Sequence, residues 1–379
     1  MKNKKTMLIA SDCFLPRWDG VSRFLSEIIP KLEEDYNIVL LVPGFGTINR
    51  KKYGLDKIKI IKIPTIKIKF GDIYFAKPEL KKIKKAISES DIVFTQTIGP
   101  IGLISIKYGK KLNKAVVSFI HSIEWLLARN SIKWFKRTSE FIVKIIARKA
   151  YNKSSLLIVP SEETAKKLDS AGIRTKKKIV YLATDTEKFR PMNKDEAKKS
   201  IGIDKDFFIV GYNGRISREK DLLTLYRAFR KVEKKYEKTK LMIVGRGIKE
   251  QEKLFSSEAN IILPGQVDDV VPYLNAMDVF VMPSLQETTS LSIMEAMACG
   301  TPVITTPVGI AKEHIIEKEN GMSFPFRNSF VLSMKIEMLI KNKELRERLG
   351  KNARNTIIKN FSWAQTVKGI KNAIKLVEK

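Results

Sequence analysis

Residues 282–304, Met282-Pro-Ser-Leu-Gln-Glu287-Thr-Thr-Ser-Leu-Ser-Ile-Met-Glu295-Ala-Met-Ala-Cys-Gly300-Thr-Pro-Val-Ile304, hold a strand end, a turn, a helix and the start of the next strand in one short run. The first strand ends at Pro283, the helix opens near Ser290, and Val303–Thr305 begins the second strand. Strand, helix and strand at this spacing form the unit of a parallel sheet with crossover helices. The reading puts Glu287 in a strand-end loop and Glu295 about a turn into the helix. Backbone N–H groups at such a helix start make a site for an anion or polar ligand, and two carboxylates facing one crevice suit the hydroxyls of a sugar and a ribose. Taken singly, the same residues also read as a helix cap and a partly solvated glutamate.

The same rhythm runs outward. In the second half, Phe207–Asn213, Leu241–Val244, Ile261–Leu263 and Val279–Met282 read as further strands. In the first half, Thr6–Ser11, Asn37–Val42, Ile58–Pro64, Asp91–Thr95, Ala115–Ile120 and Ser155–Pro160 alternate with helical stretches at Val21–Leu32, Pro78–Ile87 and Trp134–Tyr151. Residues 183–206 read as the polar link between two layered units. The expected architecture is therefore α/β, with one Rossmann-like domain over residues 1–184 and another over 185–360, their parallel sheets facing a central cleft. Open parallel sheets bind ligands beyond the carboxyl ends of their strands.

Composition narrows the class. With 379 residues, 44% of them apolar, the chain can bury two ordinary cores. The first residues are too polar for a secretion signal, and no run reaches the roughly 18 apolar residues of a membrane-spanning helix. Cys13 and Cys299 have no neighbours at disulfide or zinc spacing, so a reducing cytoplasm is expected. The net charge is +30, and residues 1–190 hold 39 basic against 18 acidic residues. Such an excess attracts polyanions: nucleic acid, an anionic membrane or phosphorylated substrates.

Glu287-x7-Glu295 followed by Ala-Met-Ala-Cys-Gly-Thr-Pro-Val resembles the E-x7-E signature of the family 4 retaining glycosyltransferases. Gly214-Arg215-x4-Lys220, the strand Leu241–Gly245, Pro160-Ser161, the Asp185 segment ending Phe189-Arg-Pro191, and Pro307-Val-Gly309 with Glu313 fall where that family has equivalents, in order over nearly the whole chain. The resemblance implies a GT-B fold, a nucleotide-sugar donor and a sugar or lipid-linked acceptor. It also implies a final helix over 361–379 crossing back onto the first domain. A UDP-sugar is the expected donor, with GDP-mannose as the alternative.

By the same resemblance, His121, Glu287, Arg215 and Lys220 are the expected catalytic residues. Donor binding is expected from Gly20, Gly214, Arg215, Lys220, Gly245, Glu287, Thr288, Thr289, Ser290, Leu291 and Glu295. Arg215 and Lys220 would hold the diphosphate and neutralise it as it leaves. Glu295 would bind the ribose, Glu287 the donor sugar, and His121 that sugar from the first domain. Retention would follow a front-face path in which the departing phosphate helps deprotonate the acceptor. His314, beside Glu313, is placed early in a helix and read as structural. No Asp-x-Asp pair stands near a strand end in the cleft stretches, so no metal or other cofactor is expected.

Three departures from the family pattern stand out. Asp19 occupies the first of two usual glycine positions before Gly20, Arg246 separates Gly245 from Gly247, and Ser290 stands where glycine is common. The surplus charge sits in basic stretches such as Trp134–Lys149 and Pro78–Lys85, which read either as ordinary amphipathic helices or as a surface for an anionic membrane. The latter gives a cytoplasmic enzyme peripheral to the inner face of the cell membrane. Nucleic acid is not an expected partner, because no recognised binding motif accompanies the charge. The competing readings are an epimerase or phosphorylase of similar fold, and a protein that binds nucleic acid or another polyanion, for which charge is the sole support.

Overall fold

The computed structural model describes residues 4–378 apart from Trp18, Gly71, Asp72, Ile132–Trp134 and Ser257. The expected start of the basic helix at Trp134 therefore lies outside the described residues. The chain divides into two units, residues 1–181 with 366–379, and residues 182–365.

The first unit holds β1 (Thr6–Ala10), α1 (Gly20–Leu32), β2 (Asn37–Pro43), β3 (Lys59–Ile63), the strands β4 (Thr65–Phe70) and β5 (Ile73–Ala76), and α2 (Leu80–Ser88). Then follow β6 (Ile92–Thr95), α3 (Pro100–Lys111), β7 (Ala115–Phe119), α4 (Glu124–Ser131), α5 (Lys136–Tyr151), β8 (Leu156–Val159), α6 (Glu162–Ser170) and β9 (Lys177–Ile179). Its main sheet has the order β3-β2-β1-β6-β7-β8-β9, all parallel. Helices cover both faces of such a sheet, so central strands read as continuous apolar runs; β6 and β8 are buried at every residue.

The second unit holds α7 (Lys194–Ser200), β10 (Phe208–Asn213), α8 (Leu222–Glu233), β11 (Thr239–Val244), α9 (Lys249–Ser256), β12 (Ile261–Gly265), α10 (Val271–Ala276) and β13 (Val279–Met282). It continues with α11 (Leu291–Ala298), β14 (Val303–Thr305), α12 (Ile310–His314), β15 (Met322–Ser323), α13 (Ser329–Lys341) and α14 (Lys343–Asn360). The sheet order is β12-β11-β10-β13-β14-β15, again parallel. The last helix, α15 (Trp363–Lys375), carries the chain into the first unit. There Thr366 Oγ1 donates to the Tyr181 carbonyl at 2.7 Å and Lys371 Nζ lies 2.7 Å from Asp35.

Two local expectations change. Residues 183–206 are not simply a link, because they contain α7, which packs on α10 and belongs to the second unit. Lys198 on this helix is nearly buried and meets the equally buried Asp278 at 3.0 Å. His314 closes α12 rather than standing early in a helix, and its ring meets Phe361 edge-on at 4.9 Å.

In both sheets the strand order reverses beside the first strand, between β1 and β6 and between β10 and β13. The loops leaving those strands part to opposite faces there, which opens a crevice at the carboxyl ends. Gly20 follows β1, and the 214–220 and 283–290 loops follow β10 and β13.

Candidate active site

After β10 the chain turns at Gly214, whose N–H donates to the Val244 carbonyl at 3.0 Å. After β11 it turns at Gly245, with φ of 128°, and its N–H donates to the Gly265 carbonyl at 2.8 Å. A Cβ on Gly245 would sit 2.1 Å from the Gly214 carbonyl oxygen. The two strand-end turns therefore lie backbone to backbone, and Gly245 is needed for that contact whatever else it binds.

The loop closed by this contact ends in a tight turn at Arg218–Lys220. Lys220 Nζ lies 2.5 Å from Glu287 Oε1, and the two side chains are only 18% and 10% exposed. Arg215 Nη2 lies 2.6 Å from Glu219 Oε1, an oxygen that also accepts from Ser217 Oγ at 2.6 Å. Burial alone would raise the Glu219 carboxyl, but the Arg215 guanidinium and the Ser217 hydroxyl hold it below its ordinary value. Backbone bonds stitch the 283–290 loop to the same turn: the Leu285 N–H and Ser284 Oγ both donate to the Glu219 carbonyl, at 2.8 and 3.1 Å.

Glu287 and Thr288 are pressed from behind by Gly309, where a Cβ would approach the Thr288 carbonyl oxygen to 2.7 Å. The chain then enters α11 through Ser290 in a left-handed conformation, φ 58° and ψ 78°. Glycine reaches that conformation at less cost, which is a physical reason for a glycine at this position. The hydroxyls of Thr289 and Ser290 are buried and have no hydrogen-bond partner among the described residues. Buried hydroxyls are ordinarily satisfied, so two orphans at a helix start leave hydrogen-bonding capacity there that the described residues do not use. Within α11, Glu295 is 3% exposed, and Asn213 Nδ2 lies 3.5 Å from its Oε2. A partly solvated glutamate is thereby ruled out.

In the first unit, His121 follows β7 and its Nε2 lies 2.9 Å from Gln96 Oε1 at the end of β6. The ring stacks on Phe119 at 4.5 Å and meets Phe24 edge-on at 5.0 Å, and burial pushes its pKa down to about 3. His121 is a neutral imidazole. Gly20 is the first residue of α1, capped by Asp19, whose carboxylate accepts from the Ser22 N–H at 2.8 Å. A Cβ on Gly20 would meet no atom of the described residues within 4 Å, so packing among them does not explain the glycine.

The geometry thus collects Gly214, Arg215, Lys220, Gly245, Glu287–Leu291 and Glu295 in the second unit, and His121 and Gly20 in the first. Residues 193–356 match the model of the glycosyl transferases group 1, and residues 18–188 match that of glycosyltransferase family 4. The chain belongs to these group 1 glycosyltransferases. Both segments of the transferase that carry site residues fall inside the matched ranges.

Among relatives, the capsular polysaccharide biosynthesis glycosyltransferase CapM of Staphylococcus aureus is 29% identical over 62% of this transferase, a match spanning 64% of CapM. The alpha-monoglucosyldiacylglycerol synthase of Streptococcus pneumoniae is 26% identical over 78% of this chain and 69% of its own. The transferase also shares the GT-B fold of Anabaena Alr3699/HepE, solved in complex with UDP and glucose. That likeness has a TM-score of 0.79 and 18% identity, over 98% of this chain and 99% of that one.

Three residues of the transferase escape a reading of the sequence. Glu219, between Arg218 and Lys220, looks like one more surface charge, yet it is the partner of Arg215. Asp12 is a buried carboxylate that accepts from the Ile101 and Gly102 N–H groups at 2.8 and 3.1 Å, capping α3 from far away in sequence. Glu124, three residues after His121, accepts a hydrogen bond from the Tyr151 hydroxyl. Its position beside His121 was the only available signal.

Proposed function

We propose that the transferase moves a sugar from a nucleotide-diphosphate sugar, with retention and without a metal, onto a lipid or lipid-linked glycan. The observation that carries the donor half is the Lys220–Glu287 pair set beside the α11 start with its two orphan hydroxyls. Arg215 and Lys220 present a guanidinium fork and an ammonium to the diphosphate, which gains negative charge as its bond to the sugar breaks. Glu287 takes hydroxyls of the sugar and Glu295 those of the ribose. The departing phosphate oxygen takes the acceptor proton as the new glycosidic bond forms on the same face. Neutral His121 can donate to or accept from a sugar hydroxyl without adding charge.

A UDP-sugar is the first donor to test, since HepE is solved with UDP, and GDP-mannose is the second. A lipid acceptor is supported by the pneumococcal relative, named for a monoglucosyldiacylglycerol. The basic first half adds an anionic membrane surface at which such acceptors reside, which agrees with a cytoplasmic enzyme bound peripherally to the inner face of the cell membrane.

Product analysis in EDTA tests the proposal. Free nucleoside diphosphate together with a glycosylated lipid whose anomeric coupling matches the donor supports it. An isomerised donor would instead indicate epimerisation, and an inverted product would remove the front-face path.

A further inference from the structure

In the first unit α5 presents the wrong face to solvent. Its buried side chains are Ala147, Ala150 and Tyr151, whereas Phe141, Ile142 and Ile146 are exposed, with Phe141 at 65% and Ile142 at 51%. Residues 138, 141, 142, 145, 146 and 149 follow the spacing of a single helical face, on which Phe141, Ile142, Ile145 and Ile146 form an outward apolar strip between Thr138 and Lys149. Phe135, just before the helix, adds an 83% exposed ring at its near end. An amphipathic helix on a soluble surface has the reverse arrangement, and single scattered apolar residues would not share a face.

The surroundings indicate what covers this strip. Helix α3 packs on both α2 and α5, forming one layer over the sheet. Those three helices contain twelve lysines and arginines and a single acidic residue, Glu140. Lys136, Arg137, Arg148 and Lys149 on α5 are exposed, as are Lys81, Lys82, Lys84 and Lys85 on α2. None of the described helices is long and apolar enough to cross a membrane. An apolar strip on a convex helix, rimmed by long cationic side chains, matches an anionic bilayer interface: the rings and branched chains enter the headgroup boundary while ammonium groups reach phosphates.

We infer that the outward face of α5, with the lysine-rich layer α2/α3/α5, docks the first unit on an anionic lipid surface, Phe141 and Ile142 entering the interface. This deepens the lipid-acceptor reading and rests on it only for its purpose, so the test reads binding rather than transfer.

The full chain is sedimented with phosphatidylglycerol or phosphatidylcholine vesicles, and a Phe141→Trp variant is followed by fluorescence with brominated lipid as quencher. The expected result is binding to phosphatidylglycerol only, a blue-shifted and quenched Trp emission, and loss of roughly tenfold or more in partitioning for Phe141→Ser/Ile142→Ser and for Lys136→Gln/Arg137→Gln/Lys149→Gln. Circular dichroism spectra and urea midpoints matching the wild type show that these variants are folded. Equal binding to both vesicle types, no binding, undiminished binding of the Ser variant, or unchanged Trp emission would each overturn the inference. Lipid binding without any transferase activity would uphold it and count against the proposed function alone.

Discussion

Lys220 stands at the point where the loops after β10 and β13 meet, with Glu287 2.5 Å away. An ammonium that stabilises a leaving diphosphate gives most of its energy in the transition state, so Lys220→Ala should lower kcat by roughly a hundredfold to a thousandfold with the fold intact. Steady-state kinetics beside circular dichroism checks this. Ser290 gives the opposite test, since its left-handed backbone and orphan hydroxyl both cost stability. Ser290→Gly should stabilise the protein by about 1 kcal/mol in urea and weaken donor affinity, because it removes strain together with a ligand contact. Glu124 supplies a pH test. Burial lifts its carboxyl from the ordinary 4.5 to about 7, so the folded state holds that proton more tightly than the unfolded chain. Stability from this group is fully present below 4.5 and is lost as pH rises through about 7, a slope that Glu124→Gln should remove from urea midpoints measured across that range.

At the scale of elements, the contact between the turns after β10 and β11 leaves no room for a side chain. Gly245→Ala should destabilise the second unit by roughly 2–4 kcal/mol, measured by urea unfolding, through overpacking and an unfavourable φ. The strands that pair at the centre of each sheet were legible in the sequence, because burial on both faces makes their apolar runs continuous. What escaped lies where that signal fades. The pair β4 and β5 follows Pro64, which marked a strand end, and Lys67 and Lys69 lower its apolar content. In β9, Lys177-Lys-Ile is more basic than apolar, and β15 has two residues. Helix α7 was hidden because Lys198, a residue type that normally marks solvent, is buried against Asp278. The E-x7-E loop was legible because strand end, turn and helix lie consecutively. Asp12 was not, since its partners at 101 and 102 are brought to it only by the β1–β6 pairing.

For the whole molecule, charge is the largest influence that no single contact expresses. A net +30 on 379 residues repels itself, so the melting temperature should rise as sodium chloride increases from about 0.01 M to about 1 M and the screening length falls from ~30 Å to ~3 Å. A flat response would mean that the surface ion pairs already offset the repulsion. The size of this excess was plain in the sequence. Its gathering on the α2/α3/α5 layer, beside an outward Phe141 and Ile142, required the fold. The most direct test of the donor site is calorimetric titration of UDP, in EDTA, into the wild type, Lys220→Ala and Glu295→Ala. The site as built predicts metal-independent binding that weakens at least about tenfold in each variant; equal affinity in all three, or binding only with a divalent cation, would contradict it.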